Sequence, residues 1–223
     1  MSGAEAIDPE STTHREIVRV SPELIERSRG FSAATLHESA GKTGALPPEI
    51  GPVWPGCRIC GPAVTVQSPG GDNLWIHRAI YAARAGDVLV VHAGGQYGFG
   101  YWGEILSTAA LCRGLGGLVI DACVRDGDLL GELGLPVFAR GLCIRGTGKD
   151  FGARGSINAP ILFGDVVVAP GDLIVGDADG VVAVSRDNVA PVLGAAAERV
   201  AMETRIQERL RAGESTLSVY GWI

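Results

Sequence analysis

Lysine is nearly missing from this chain: Lys42 and Lys149 are the only two in 223 residues. Both stand in glycine-rich, loop-like surroundings, where an ammonium stays hydrated. Schiff-base chemistry needs a desolvated lysine, so covalent lysine catalysis is not expected. Positive charge is nowhere concentrated either. The formal net charge is −6 and no basic run is present, which argues against a nucleic-acid surface. No apolar stretch approaches the ~20 residues of a membrane span. The first fifteen residues are polar and hold no apolar segment of a secretory leader. At this level the sequence reads as a cytoplasmic protein with neither nucleic-acid nor membrane partners.

Other absences narrow the chemistry. The five cysteines (Cys57, Cys60, Cys112, Cys123 and Cys143) are odd in number and sit in apolar contexts, as reduced thiols do. Cys57 and Cys60 have redox or half-zinc spacing, but no second CxxC exists and the pair enters a strand rather than a helix. None of His14, His37, His77 and His92 forms an HxH or HExxH pair. His77 is expected on an apolar helix face, where a hydrogen-bonded core residue is the commoner outcome than a ligand. GxSxG and Walker loops are missing, and the glycines of residues 94–100 lack a full dinucleotide fingerprint. Serine-hydrolase, P-loop and nicotinamide chemistry are therefore not expected.

What is present suits an α/β protein: 46% hydrophobic residues and 33 glycines. Residues 1–20 read as a flexible lead-in and 21–223 as one layered domain. Ser21-Pro22-Glu23 opens a short helix, and a second follows Ser32. Residues 61–67 form a strand, and 73–85 a helix with Leu74, His77, Ile80 and Tyr81 on its inner face and Gly86 at its end. Residues 87–92 are a buried strand, 103–113 a helix, 118–124 a strand, 126–133 a helix and 136–139 a strand. Short β segments over 161–168, 173–176 and 180–184 are separated by Pro-Gly-Asp and Asp-Gly turns. A polar helix over 187–212 closes the domain. Its apolar band of Val189, Val192, Ala196, Val200 and Ile206, and the terminal Trp222 and Ile223, predict a homotrimer or homohexamer with this region near an interface.

The most informative segment is residues 116–126. An apolar, β-branched run ends in adjacent Arg125 and Asp126, as a buried strand does when it delivers charge to a pocket at its carboxyl end. An ion pair steadying a surface turn is the plainer alternative. Glu104, at a predicted helix start, is separated from the pair by one helix and one strand, which can bring all three to one edge. If a metal binds, it must use oxygen ligands, with Glu104, Asp126 and Asp128 as candidates. That favours Mg²⁺ or Mn²⁺. A guanidinium beside such an ion suits an α-keto acid: Arg125 grips the carboxylate and the cation the keto oxygen. Amides near Ile105 and Leu106, at the helix start after Gly103, add anion donors. Such a site stabilises an enolate.

Taken in order, several segments resemble the RraA-like family. They are Gly71-Asp72-Asn73-Leu74 with His77, Gly86-Asp87-Val88-Leu89-Val90-Val91, Trp102-Gly103-Glu104, Gly117-Leu118-Val119-Ile120-Asp121 with Val124-Arg125-Asp126, residues 136–141, and 170–182. The resemblance implies a swivelling β/β/α layered domain with a C-terminal helix, assembled as trimers or pairs of trimers. It implies a metal-dependent aldolase acting on 4-hydroxy-4-methyl-2-oxoglutarate or 4-carboxy-4-hydroxy-2-oxoadipate. Oxaloacetate decarboxylation through the same pyruvate enolate, and a place in aromatic-compound degradation, come with it. The family also holds non-catalytic proteins that bind and inhibit a ribonuclease, and the same fold can serve an enzyme acting on an unrelated acid. By position, Arg125 holds the pyruvyl carboxylate, Asp126 carries the metal, and Gly103, Ile105 and Leu106 line the pyruvate site. Glu203 of a neighbouring subunit is the best match for a further metal ligand. Two positions depart from the aldolase pattern: Leu129 stands where an acid is common, and Glu104 where glycine or aspartate is expected.

Overall fold

Helices and strands alternate through the first 140 residues, and short strands then dominate. The computed structural model describes residues 12–223. Helices α1 (Pro22–Ser28) and α2 (Ala33–Ser39) each have a serine N-cap. Ser21 Oγ accepts from the Leu24 amide and Ser32 Oγ from the Thr35 amide, satisfying donors that have no partner inside the helix. Next come β1 (Gly51–Pro52), β2 (Ile59–Gln67), α3 (Leu74–Ala82), β3 (Val88–His92), α4 (Glu104–Cys112), β4 (Gly117–Ile120), β5 (Cys123–Val124) and α5 (Gly127–Leu133). The second half holds β6 (Val137–Ala139), β7 (Gly141–Leu142), β8 (Ser156–Ile157), β9 (Ile161–Phe163), β10 (Val166–Val168), β11 (Leu173–Asp177) and β12 (Gly180–Val184). The long helix α6 (Val189–Arg211) and a final turn, α7 (Thr216–Val219), close the chain.

The main sheet has the order β1-β6-β4-β3-β2-β11-β12, with β8 on the far half of β2. Neighbours β2-β3, β3-β4 and β4-β6 are parallel. The β1-β6, β2-β11 and β11-β12 pairs are antiparallel. Central strands are covered on both faces, which is why Val88-Leu89-Val90-Val91 shows no alternation. On one face α3 and α4 bring Trp75, Ile76, Ile80 and Leu106 onto the sheet. The other face holds Ile50, Phe138 and Phe163. A third cluster, with Leu36, Val184 and Leu193, joins α2 and α6 to β12. Cys57 belongs to the second cluster and Cys60 to the third, so the CxxC thiols serve different cores.

Several boundaries differ from the sequence reading. Helix α3 stops at Ala82, short of Gly86, and buries Trp75, Ile76, Ala79 and Ile80 while Tyr81 is exposed. The carboxylate of buried Asp87 takes the Arg84 amide at 2.7 Å, which turns the chain out of the helix and into β3. The strand expected over 118–124 is two strands, because Asp121 breaks it. Its buried side chain pairs with Arg140, and β5 leaves to pair with β7. Residues 161–168 form a hairpin, β9-β10, turning at Gly164 with φ +65°.

Of the lead-in expected over residues 1–20, residues 1–11 lie outside the described residues. From Thr13 onward the chain is tied down. The His14 amide donates to Ile157 O at 3.1 Å, and Arg19 forks onto Asp87 at 2.7 and 2.8 Å. A buried carboxylate needs such a partner, so the segment is held. The apolar band of α6 divides in two. Val189, Val192 and Ala196 are buried with Leu193, whereas Val200 is 42% exposed and the terminal Trp222 is 68% exposed.

Candidate functional site

The site grows from the start of α4. Gly103 precedes the helix in extended backbone, and a Cβ there would lie 2.3 Å from Asp126 Oδ2 and 3.1 Å from Arg125 Cγ. Only a residue without a side chain allows that approach. The Arg125 amide donates to Trp102 O at 2.8 Å, locking the end of β5 to this turn. Asp126 is in the left-handed region, with φ +61°, a conformation that a non-glycine residue holds only when its surroundings impose it. The reason lies in its side chain. Although Asp126 precedes α5, its Oδ2 caps α4 instead, accepting the Glu104 amide at 3.0 Å. The first intrahelical bond of α4 is made by the Ser107 amide to Gly103 O, so the Ile105 and Leu106 amides precede the helical ladder.

These elements border a cavity of about 200 Å³. Gly103, Ile105, Leu106 and Arg125 all line it, together with Tyr101 and Trp102. Arg125 also borders a second, more open cleft of about 450 Å³, with Asp126, Gly127, Leu142, Cys143 and Ile144. It thus stands between the two. Its own ion pair with Asp126 is loose, 3.7 Å from Nε to Oδ2, which leaves the guanidinium face available.

Other expected residues lie elsewhere. Glu104 contributes its amide, but its side chain is exposed and lines neither space. A catalytic role for its carboxylate is not what this arrangement favours. Asp128 is exposed on α5, away from both linings. Glu203, on α6, pairs with Arg199 at 2.8 Å, and Arg199 also meets Glu38. Within one chain it does not join the cavity. Among the described residues, no group of three or more His, Cys, Asp and Glu side chains is arranged to hold an ion.

Asn73, His77, Thr147 and Lys149, none of which the sequence analysis placed at the site, also line the cavity. Their juxtaposition depends on a contact between distant segments. Buried Asp72 accepts the Leu74 amide at 2.8 Å and the Asp150 amide at 2.5 Å, while the Gly148 amide donates to Gly71 O at 2.7 Å. The loop carrying Thr147 and Lys149 is thereby strapped over the start of α3. Gly71-Asp72-Asn73 was a visible signal, but nothing local announces its partner 75 residues on. Lys149 is exposed in a loop, as expected, and also borders the cavity. Asn73 Nδ2 donates to Tyr101 O at 2.8 Å, and its buried Oδ1 has no partner, an open acceptor at the cavity wall.

His77 lines this space rather than an apolar core. Burial first, and the Lys149 ammonium second, hold its pKa below the ordinary value, against an opposing pull from Asp72. The imidazole is therefore neutral near pH 7. An unfolded chain takes up this proton near pH 6.5 and the folded chain only at lower pH, so the contribution of His77 to folding stability falls as pH drops below that value. His77→Gln is expected to flatten that part of the Tm-against-pH curve. An unchanged slope in the variant would show that His77 is solvated like any surface histidine.

Comparison with known proteins gives this geometry a lineage. The sequence profile of the RraA-like family, described as Aldolase/RraA, matches residues 21–183. This chain belongs to the RraA-like family. The matched stretch contains Arg125, Asp126 and every residue of the cavity, and ends before α6 and Glu203. A Halalkalibacterium halodurans protein named "Putative 4-hydroxy-4-methyl-2-oxoglutarate aldolase" is 38% identical over 179 residues, spanning 80% of this chain and 84% of its own. A solved structure from Pseudomonas syringae pv. tomato superposes with TM-score 0.80 at 27% identity, covering 93% of this chain and 97% of the other. A Streptomyces coelicolor structure, described as an unusual member of the RNase ES inhibitor RraA family, gives TM-score 0.74 at 27% identity over 86% of this chain and 100% of its own. The layered α/β fold with a C-terminal helix is thus the RraA-like fold. Among the described residues, no helix is long and apolar enough to cross a membrane.

Proposed function

We propose that this chain is a divalent-metal-dependent pyruvate lyase. It cleaves a 4-hydroxy-2-oxo acid, of the 4-hydroxy-4-methyl-2-oxoglutarate or 4-carboxy-4-hydroxy-2-oxoadipate type, and decarboxylates oxaloacetate at the same site. The observation that carries this reading is Arg125 bordering a cavity together with Ile105 and Leu106, whose amides stand in the first turn of α4. A guanidinium fork and the free N–H donors of a helix's first turn suit one carboxylate and its neighbouring oxygen. The name given to the Halalkalibacterium halodurans relative supports the same chemistry.

In this reading Arg125 holds the pyruvyl carboxylate, and the Ile105 and Leu106 amides complete its binding. His77, kept neutral, accepts the proton of the C4 hydroxyl; the C3–C4 bond breaks and its electron pair moves to the keto group as enolate. Returning that proton to C3 releases pyruvate. Lys149 stands close enough to depress His77 and supplies positive charge toward the departing carbonyl fragment. Asp126 would hold a hard cation. Its Oδ2 already caps α4, which leaves Oδ1 for the ion. One protein carboxylate with retained water suits Mg²⁺ or Mn²⁺. Such an ion supplies Lewis-acid polarisation of the keto oxygen when bound. In an assembled homotrimer or homohexamer, Glu203 of a second copy is the proposed additional ligand.

Pyruvate release should be measured from a panel of 4-hydroxy-2-oxo acids and oxaloacetate, with Mg²⁺, with Mn²⁺ and with EDTA. Turnover of at least one acid with either ion, lost on chelation, is the expected result. No release from any acid, together with inhibition of a ribonuclease E-type activity, would replace this reading with the inhibitor function named for the Streptomyces coelicolor relative.

A further inference from the structure

At the other end of β2 lies a second cavity of about 200 Å³, independent of the lyase reading. It is bordered by Arg29 and Phe31 from the α1-α2 connection, Arg58, Ile59 and Cys60 entering β2, and Val175 on β11. The candidate site gathers at the opposite, carboxyl ends of the parallel strands. Ile59 and Gln67, at the two ends of β2, are roughly 26 Å apart at strand rise. Ile59 and Val175 are each 2% exposed and form an apolar floor; Phe31 makes a half-buried wall.

The charge balance at this place is unusual for an acidic chain. Arg29 has one weak, exposed pair with Glu26, 3.3 Å away on its own helix. The Arg58 guanidinium donates only to Phe31 O, at 3.3 Å, and among the described residues no carboxylate pairs with it. Arg29 and Arg58 both border the cavity, and among the described residues no carboxylate lines it. Both also bear on the Cys60 thiol, whose pKa burial raises while Arg29 and Arg58 pull it down and Glu26 opposes them. That thiol donates to Ile25 O at 3.6 Å, so it is already engaged and acts as part of the floor.

We propose that this cavity binds a small organic carboxylate with a flat apolar body. Arg29 and Arg58 take the carboxylate, and the body lies against Phe31, Ile59 and Val175. Planar forks match a carboxylate, and the apolar floor of Ile59 and Val175 favours an anion with an apolar body over a bare inorganic one. The size agrees as well: an apolar cavity of about 150 Å³ accepts benzene, and this one is about 200 Å³ with a charged rim. Benzoate is the appropriate probe.

Calorimetric titration of the full chain with benzoate, benzyl alcohol and inorganic phosphate tests the assignment. Benzoate is expected to bind, with benzyl alcohol and phosphate each at least about tenfold weaker, because only benzoate combines the planar charge with the apolar body. Arg58→Met and Arg29→Met should each weaken benzoate by about tenfold or more, whereas Arg125→Met should leave it unchanged. Both arginines are exposed, so either variant carries the test if the other fails to fold. Absence of benzoate binding at millimolar concentration overturns the proposal. So does affinity untouched by both rim variants, affinity lost only in Arg125→Met, or phosphate binding as tightly as benzoate.

Discussion

Arg125→Lys is expected to lower kcat/KM for pyruvate release nearly as far as Arg125→Ala. Lysine keeps the charge, yet it cannot present the planar pair of N–H donors that grips a carboxylate and keeps the keto group in register. Loss of a charge-assisted bidentate contact that bound substrate covers from water costs on the order of 3–5 kcal/mol, or about 10²–10⁴ in kcat/KM. The competing view is that Arg125 only steadies the turn through Asp126. The 3.7 Å spacing and the partial exposure of both side chains make that pair worth little. The two views separate in one preparation. Normal melting with lost activity supports the substrate role, whereas lowered Tm with normal specific activity in the folded fraction removes Arg125 from the site.

Asp126→Asn is expected to abolish turnover while the protein stays folded. Asparagine can still accept the Glu104 amide through its carbonyl oxygen, and it tolerates the left-handed backbone that Asp126 adopts. What disappears is the negative charge that would hold a cation. A loss on the order of 10²-fold or more should follow, as for removal of a metal-supporting carboxylate. Wild-type activity should vanish on chelation and return with Mg²⁺ or Mn²⁺, while the variant should not recover at any practical concentration of either ion. Undiminished turnover in excess EDTA by the wild type would end the metal proposal.

The element order of the fold was legible in the chain because local signals were strong. Ser21 and Ser32 announce α1 and α2, apolar runs announce β2 and β3, and Pro-Gly-Asp and Asp-Gly turns separate the later strands. Where the reading slipped, a side-chain polar contact had overridden local propensity. Asp87 ends α3 early, Asp121 splits one expected strand into two, and Arg19 pins part of the expected lead-in. Two buried carboxylates account for all three: Asp87 takes the nearby Arg84 amide and the distant Arg19 guanidinium, and Asp121 takes Arg140.

By itself, the sequence determined that Arg125 and Asp126 leave the end of an apolar strand beside a helix start. Its order of motifs also identified the RraA-like family. Adjacent residues and a helix boundary are properties of local spacing, so no coordinates were needed. Tertiary structure alone decided which side chains meet Arg125. It turned the Asp126 carboxylate onto the start of α4, left the Glu104 carboxylate outside, and brought His77 and Lys149 to one cavity through the Asp72 strap. Such convergence depends on backbone hydrogen bonds between segments some 75 residues apart, and spacing along a chain carries no record of them.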